Sequence, residues 1–345
     1  MSICNAANNM TVRVLMTGAD GFVGPHLGKA LRCICGTGTE IIATSRVGGM
    51  HPLFGKMDAL DVTDAAAVRA AIARDDPSHI VHLAAVAAIG AASADPETAW
   101  AVHVGGARNL ARAMLDLAPH SWLLNVGSGL IYGDTANSDQ PLNEKALPAP
   151  VDDYGVTKAA ADLALGALVR RGLRVLRLRP FNHTGPGQTE AFAIPAFAMQ
   201  IARIEAGLAK PVLRVGNLDA ERDFLDVRDV ASAYALAVHR TADLQSGLIL
   251  NIASGIPCRI GDMLQTLLTL SRVAITIEHD PARIRASDLP RVIGDATRAR
   301  ELLGWSPKYS IHDTLGVVLD SCRSQVAREI SGEAIAPEES TFFDK

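Results

Sequence analysis

Short apolar runs alternate with helically spaced stretches without a break from Thr11 to Pro180, and this constrains the fold more than any other feature. The first run, TVRVLMTG, is rich in valine and ends at a glycine, and residues 22–32 follow it with helical spacing. EIIATS (40–45), HIVHLAA (79–85), SWLLNVGS (121–128) and LRVLRLRP (173–180) read as further strands. Helical periodicity covers 64–73, about 96–117 and 154–170 between them. Strands that are apolar on both faces and separated by helices belong to a parallel sheet covered on both sides. The expected fold is therefore α/β, a doubly wound parallel sheet. At FNHTGPGQ (181–188) the rhythm gives way to a loop longer than most strand-to-helix connections, where a second, smaller α/β unit is expected to begin. Residues 222–253 then read as a strand, a helix and a strand returning to the first unit. The expected division is 11–180 with 222–255, then 181–221 with 256–330, and an aperiodic acidic tail at 331–345 that frays.

Of the 345 residues, 48% are apolar and 20% charged, the balance of a compact globular protein. The net charge of −4 is spread over both signs, which argues against a nucleic-acid partner or an anionic membrane surface. The longest apolar stretch, residues 81–94, contains His82 and falls short of the roughly 20 residues a membrane span needs. Five irregularly spaced cysteines (Cys4, Cys33, Cys35, Cys258, Cys322) do not form a disulfide framework, and the lone C-x-C reads as half-buried helix thiols, so no metal is expected. MSICNAANNM has neither a basic nor an apolar leader region, and the cytoplasm is the expected compartment.

Three glycines in TGADGFVG, Gly18, Gly21 and Gly24, sit where the first strand turns into the first helix. A turn without side chains there lets backbone N–H groups and the helix N-terminus approach a pyrophosphate. The second strand ends in Thr44, Ser45 and Arg46, without an acid to accept from a ribose 2′-hydroxyl. Arg46 suits a 2′-phosphate, so NADP(H) is the preferred cofactor, with NAD(H) also open. Asp61 is placed either to accept from the adenine amino group or to close a turn. In YGVTK, Tyr154 and Lys158 are four residues apart on a helix and share a face, so the ammonium is expected to lower the phenol toward the working pH. Ser128, at the end of its strand, can bond the same reacting oxygen as Tyr154.

Together TGADGFVG, HLAA, GSGLIYG and YGVTK resemble the extended short-chain dehydrogenases/reductases, over about residues 11–310. RPFNHTGPGQ, VGNLDAERDFLDVRD and RASDLPRVIGD are similar to the GDP-6-deoxy-4-keto-D-mannose reductases, which make GDP-D-rhamnose. That resemblance implies a catalytic triad of Ser128, Tyr154 and Lys158, with Phe22, Val23, Leu83, Ala84, Ala85 and Pro180 joining the glycines at the cofactor. It also implies that Asn182, Arg222 and Arg285 hold a nucleotide diphosphate beside Val215, a role suited to guanidinium forks. Asp288 is expected either at the nucleoside ribose or in a surface ion pair. A GDP-sugar substrate and a homodimer follow from the same resemblance.

Two positions depart from the pattern. Dehydratases of the superfamily carry Thr and an acid where this chain has Ser128, Gly129 and Leu130, so no general acid is available there to expel a hydroxyl. His103 stands where the family commonly has Asn, either replacing its hydrogen bond or simply packing. The expected reaction is reduction of the 4-keto group of a GDP-6-deoxyhexulose. A reductase forming GDP-6-deoxy-D-talose, an NAD-dependent 4-epimerase and a non-catalytic nucleotide sensor remain as alternatives.

Overall fold

The computed structural model describes residues 12–137, 140–284 and 289–332. Its main sheet is built from β1 (Arg13–Thr17), β2 (Glu40–Ser45), β3 (Gly49–His51), β4 (Gly55–Ala59), β5 (His79–His82), β6 (Trp122–Val126) and β7 (Val175–Pro180), joined by a late strand at Ile249–Ile252. From one edge the order is late strand, β7, β6, β5, β1, β2, β4, β3. Every pairing is parallel except β3 with β4. Side chains such as Leu15, Met16, Ile80, Val81, Leu123 and Leu124 are fully enclosed, as strands covered on both faces require.

The covering helices are α1 (Val23–Ile34), α2 (Ala65–Asp75), α3 (Ile89–Ala94), α4 (Pro96–Trp100), α5 (Ala107–Leu117) and α6 (Asp153–Leu168). Asp64 stands just before α2 and accepts from the N–H groups of Ala66 and Ala67, which sets where that helix starts. The stretch expected as one helix from 96 to 117 is interrupted by a π-helical turn at Ala101–Gly106. Gly106, at the end of this turn, lets it pack closely on Val62, since a Cβ there would lie 2.7 Å from that side chain. The run 79–85 stops as a strand at His82, and Leu83–Ala85 form the loop beyond its end.

The second part of the chain contains β8 (Asn182–Thr184), α7 (Ala193–Glu205), β9 (Val212–Val215), β10 (Glu221–Asp226), α8 (Val227–His239), β11 (Ile249–Ile252, the late strand above), β12 (Pro257–Arg259), α9 (Ile260–Thr269), β13 (Thr276–His279), β14 (Arg291–Val292), α10 (Thr297–Leu303) and α11 (Ile311–Ser331). β10 pairs with β8, β12 and β14 in a separate small sheet. The chain therefore returns to the main sheet through α8, which packs on α1, and β11, one strand later than the pattern at 222 suggests. Phe197, Ile201, Leu213, Met263, Leu267 and Leu319 form a separate core beneath the small elements. Cys33 is exposed on α1, Cys35 is half-buried at its end, and the expected tail at 331–345 lies largely outside the described residues.

Candidate active site

A cavity of about 860 Å³ opens at the carboxyl ends of the parallel strands, where ligands of such sheets bind. Gly18 follows β1, Arg46 follows β2, Leu83–Ala85 follow β5, Ser128 lies just past β6, and Pro180 ends β7; all line the cavity. Gly21, Phe22, Val23, Gly24, Asp61, Tyr154, Lys158, Asn182 and Arg222 line it as well.

The glycine turn has the shape a dinucleotide needs. Gly18 has φ +66°, a left-handed conformation, and a Cβ there would lie 2.8 Å from the Ala84 backbone. A Cβ on Gly24 would sit 2.0 Å from the Ala19 carbonyl oxygen, so α1 can start this close to β1 only with glycine. Gly21 N–H donates to Gly18 O at 3.1 Å, closing the turn that presents the α1 N-terminus to the cavity. The backbone and the arginine beside it fit a pyrophosphate with an adjoining ribose phosphate.

The opposite wall carries Ser128, Tyr154 and Lys158, the expected triad. Asp152 caps α6 by accepting from Gly155 N–H at 2.7 Å, which brings Tyr154 and Lys158 to the cavity one turn apart. Lys158 Nζ donates to Val126 O at 3.0 Å and lies 5.9 Å from the centre of the Tyr154 ring. The Ser128 hydroxyl lies near enough to the Tyr154 phenol to favour its ionised form. Leu130 N–H donates to Ser128 Oγ at 3.1 Å, which fixes the hydroxyl at the strand end.

Burial shapes the protonation of both groups. Tyr154 keeps part of its surface open to the cavity, yet burial around its hydroxyl pushes the phenol up to about 12, against the lowering by Ser128 and with some help from Asp152. Burial pushes the Lys158 ammonium down to about 8. In the protein's own field Tyr154 therefore holds its proton at neutral pH.

Several other expected residues find definite places. Asp61 accepts from Thr63 N–H at 2.9 Å and Thr63 Oγ1 at 2.7 Å, and these bonds, with Arg46 nearby, hold its carboxyl below the usual range. It is thus both a turn residue and a cavity-wall residue. Val215 is fully buried in the second core, and its neighbours Gly216 and Asn217 line the cavity instead. Arg222 Nη1 donates to Glu221 O at 2.9 Å while its side chain reaches the wall. Arg285 and Asp288 lie outside the described residues. Reading the sequence missed Val86, Gln188, Glu190, Asn217 and Arg283, which also line the cavity. Val86, Gln188, Asn217 and Arg283 sat within or beside the stretches that drew attention; Glu190 carries no local pattern.

A family model described as the NAD dependent epimerase/dehydratase family matches residues 14–253. The chain belongs to this family. This epimerase/dehydratase-family protein is 33% identical over 321 residues to the GDP-6-deoxy-D-mannose reductase of Pseudomonas aeruginosa, covering 93% of this chain and 100% of that one. The structure of RMD from Pseudomonas aeruginosa complexed with NADPH superposes with a TM-score of 0.80 at 31% identity, covering 91% of this chain and 100% of that one. A GDP-6-deoxy-D-talose 4-dehydrogenase of Aggregatibacter actinomycetemcomitans is 26% identical, over 85% of this chain and 92% of its own. The doubly wound expectation and the family assignment agree with these findings.

Proposed function

We propose that the protein is an NADPH-dependent 4-ketoreductase that converts GDP-4-keto-6-deoxy-D-mannose to GDP-6-deoxy-D-mannose, or GDP-D-rhamnose. The observation that carries this reading is the identity to a GDP-6-deoxy-D-mannose reductase along that relative's whole length. The site supports it: with its phenol at about 12, Tyr154 is a loaded proton donor, the form a ketone reduction consumes. The cofactor, when bound, supplies the hydride to carbon 4. Tyr154 gives its proton to the carbonyl oxygen, and Ser128, beside it on the cavity wall, donates to the same oxygen as negative charge builds on it. Lys158 holds its positive charge below the phenol and faces the nicotinamide ribose. Gly18, Gly21 and Gly24 cradle the pyrophosphate, and Arg46 pairs with the 2′-phosphate, the basis for preferring NADPH to NADH. Asn182, Arg222 and Asn217 line the wall where the sugar nucleotide's diphosphate is held.

The cofactor unit comprises the main sheet with α8 and β11, and the nucleotide-sugar unit the smaller elements. A homodimer is proposed through α4 and α6, where Trp100, Val156 and Leu163 expose 41%, 38% and 59% of their surface. Val156 and Leu163 are seven residues apart and share one helical face. Cys33, a free and exposed thiol, is compatible with a reducing cytoplasm.

The test supplies the purified protein with NADPH and GDP-4-keto-6-deoxy-D-mannose generated in place from GDP-mannose by a separate dehydratase. Substrate-dependent NADPH oxidation is expected, and NMR of the product gives the configuration at carbon 4. A talose product would reverse the face of hydride delivery. A folded, cofactor-binding protein that oxidises neither NADPH nor NADH would overturn the reductase reading in favour of an epimerase.

A further inference from the structure

His103 takes no part in the reduction as described, yet it is only 2% exposed and lies edge-on to the reacting phenol, ring centres 5.6 Å apart at 88°. It sits in the π-helical turn between α4 and α5. Extra residues of this kind inside helices commonly re-aim a side chain at a functional site.

Both ring nitrogens are engaged. Val86 N–H donates to Nε2 at 3.0 Å, so the ring proton must reside on Nδ1, which donates to Thr157 Oγ1 at 2.8 Å. Thr157 Oγ1 in turn donates within α6 to the carbonyls of Asp153 at 2.8 Å and Tyr154 at 3.0 Å. One imidazole therefore ties three parts of the site: the cavity-lining segment that begins at Val86, the first turn of α6, and the Tyr154 ring.

We infer that His103 is a positioning residue that sets the angle of Tyr154 and the place of the Val86–Ile89 wall together, through one acceptor and one donor on a rigid ring. Burial, with the neighbouring Lys158 charge and His82, holds the imidazole at about 3, so it stays neutral throughout the working range and moves no proton in the reaction. A second proton on Nε2 would also face the Val86 N–H, donor against donor. The inference rests on reading Tyr154 as the proton donor.

The experiment compares His103→Leu, which removes both bonds, with His103→Gln, which keeps an acceptor for Val86, and His103→Asn, which keeps a donor for Thr157. For His103→Leu, kcat is expected to fall about 10- to 100-fold, the scale of a small misplacement of a reacting group. The KM for NADPH and the pH profile should be unchanged, and the Gln and Asn variants should recover part of kcat. Amide exchange at Val86–Ile89, read by mass spectrometry with no substrate present, should accelerate in His103→Leu and stay slow in His103→Gln. The inference is overturned by a His103→Leu enzyme that keeps its kcat while melting lower. Polar variants that fall as far as leucine, or loss of a limb of the pH profile, overturn it as well. Tyr154→Phe is measured alongside: if that variant stays active the mechanism itself is wrong, whereas exchange at Val86–Ile89 still reports on His103.

Discussion

On the cofactor side, the cavity wall is made of the ends of long-buried parallel strands, β1, β2, β5, β6 and β7, each held by a continuous backbone ladder. On the sugar-nucleotide side it is made of short pieces, such as the 3-residue β8 and the 2-residue β14, grouped around one carboxylate. Asp223, wholly buried, accepts from Ser254 N–H and Oγ at 2.7 Å each, Gly255 N–H at 2.9 Å and Gly294 N–H at 3.1 Å. Its partners lie 31 to 71 residues further along the chain. One side is positioned by many equivalent bonds and the other by a long-range anchor, so the two should fail in different ways.

Tyr154→Phe should have the largest effect, because it removes the proton donor and leaves both walls intact. A loss of about 10²- to 10⁴-fold in kcat is expected, with NADPH binding, followed by its fluorescence, retained. Asp223→Ala should strike the anchored side, leaving buried donors unpaired at a cost of at least about 3 kcal/mol. Denaturant titration would read this loss, and amide exchange should rise first at residues 254–255 and 294. Exchange rising equally along β1 and β5 would mean that the two sides unfold as one and would break the comparison.

Gly18→Ala should act on the other wall alone. The left-handed backbone and the close Ala84 backbone predict a weakening of NADPH binding by about 10- to 100-fold. The paired variants Arg46→Ser and Arg222→Ala sharpen the contrast, each at about 10-fold. The first should erode the preference for NADPH over NADH, and the second should raise the KM for the sugar nucleotide, with neither affecting the other quantity.

Acid should weaken the cofactor side gradually, over several pH units. Burial lowers His79 to about 4 and His82 and His103 to about 3, and all three belong to the cofactor side. An unfolded chain takes up these protons near 6.5, whereas the folded one refuses them until about 3 to 4. The stability they permit is therefore complete above pH 6.5 and declines as pH falls, by about 1.4 kcal/mol per pH unit for each residue. Urea midpoints at pH 7 and 5 test this, and a midpoint that does not move would contradict the neutral, enclosed imidazoles.

Much of the cofactor side was legible because its signals are local. A glycine turn needs strand, glycines and helix in a row, and Tyr154 and Lys158 meet through helix spacing alone. The exceptions arose where a distant group intervened. The π turn at Ala101–Gly106 packs on Val62 and carries His103, bonded to Val86 and Thr157, and no periodicity reports those partners. Burial around the Tyr154 hydroxyl is likewise set by distant parts of the chain, and helix spacing does not report it.

On the sugar-nucleotide side, RDFLD reads as a strand, but the sheet it joins does not follow from its pattern. Val215 and Asn217, two residues apart, end respectively in the core and at the cavity wall. The sequence by itself determined the doubly wound sheet, the glycine turn and the shared helix face of Tyr154 and Lys158, because each follows from apolar periodicity, turn chemistry or helix geometry within a short stretch. Only the tertiary structure decided which residues of the second part face the cavity, what His103 touches and how protons are held, because these depend on burial and on partners brought together from far along the chain.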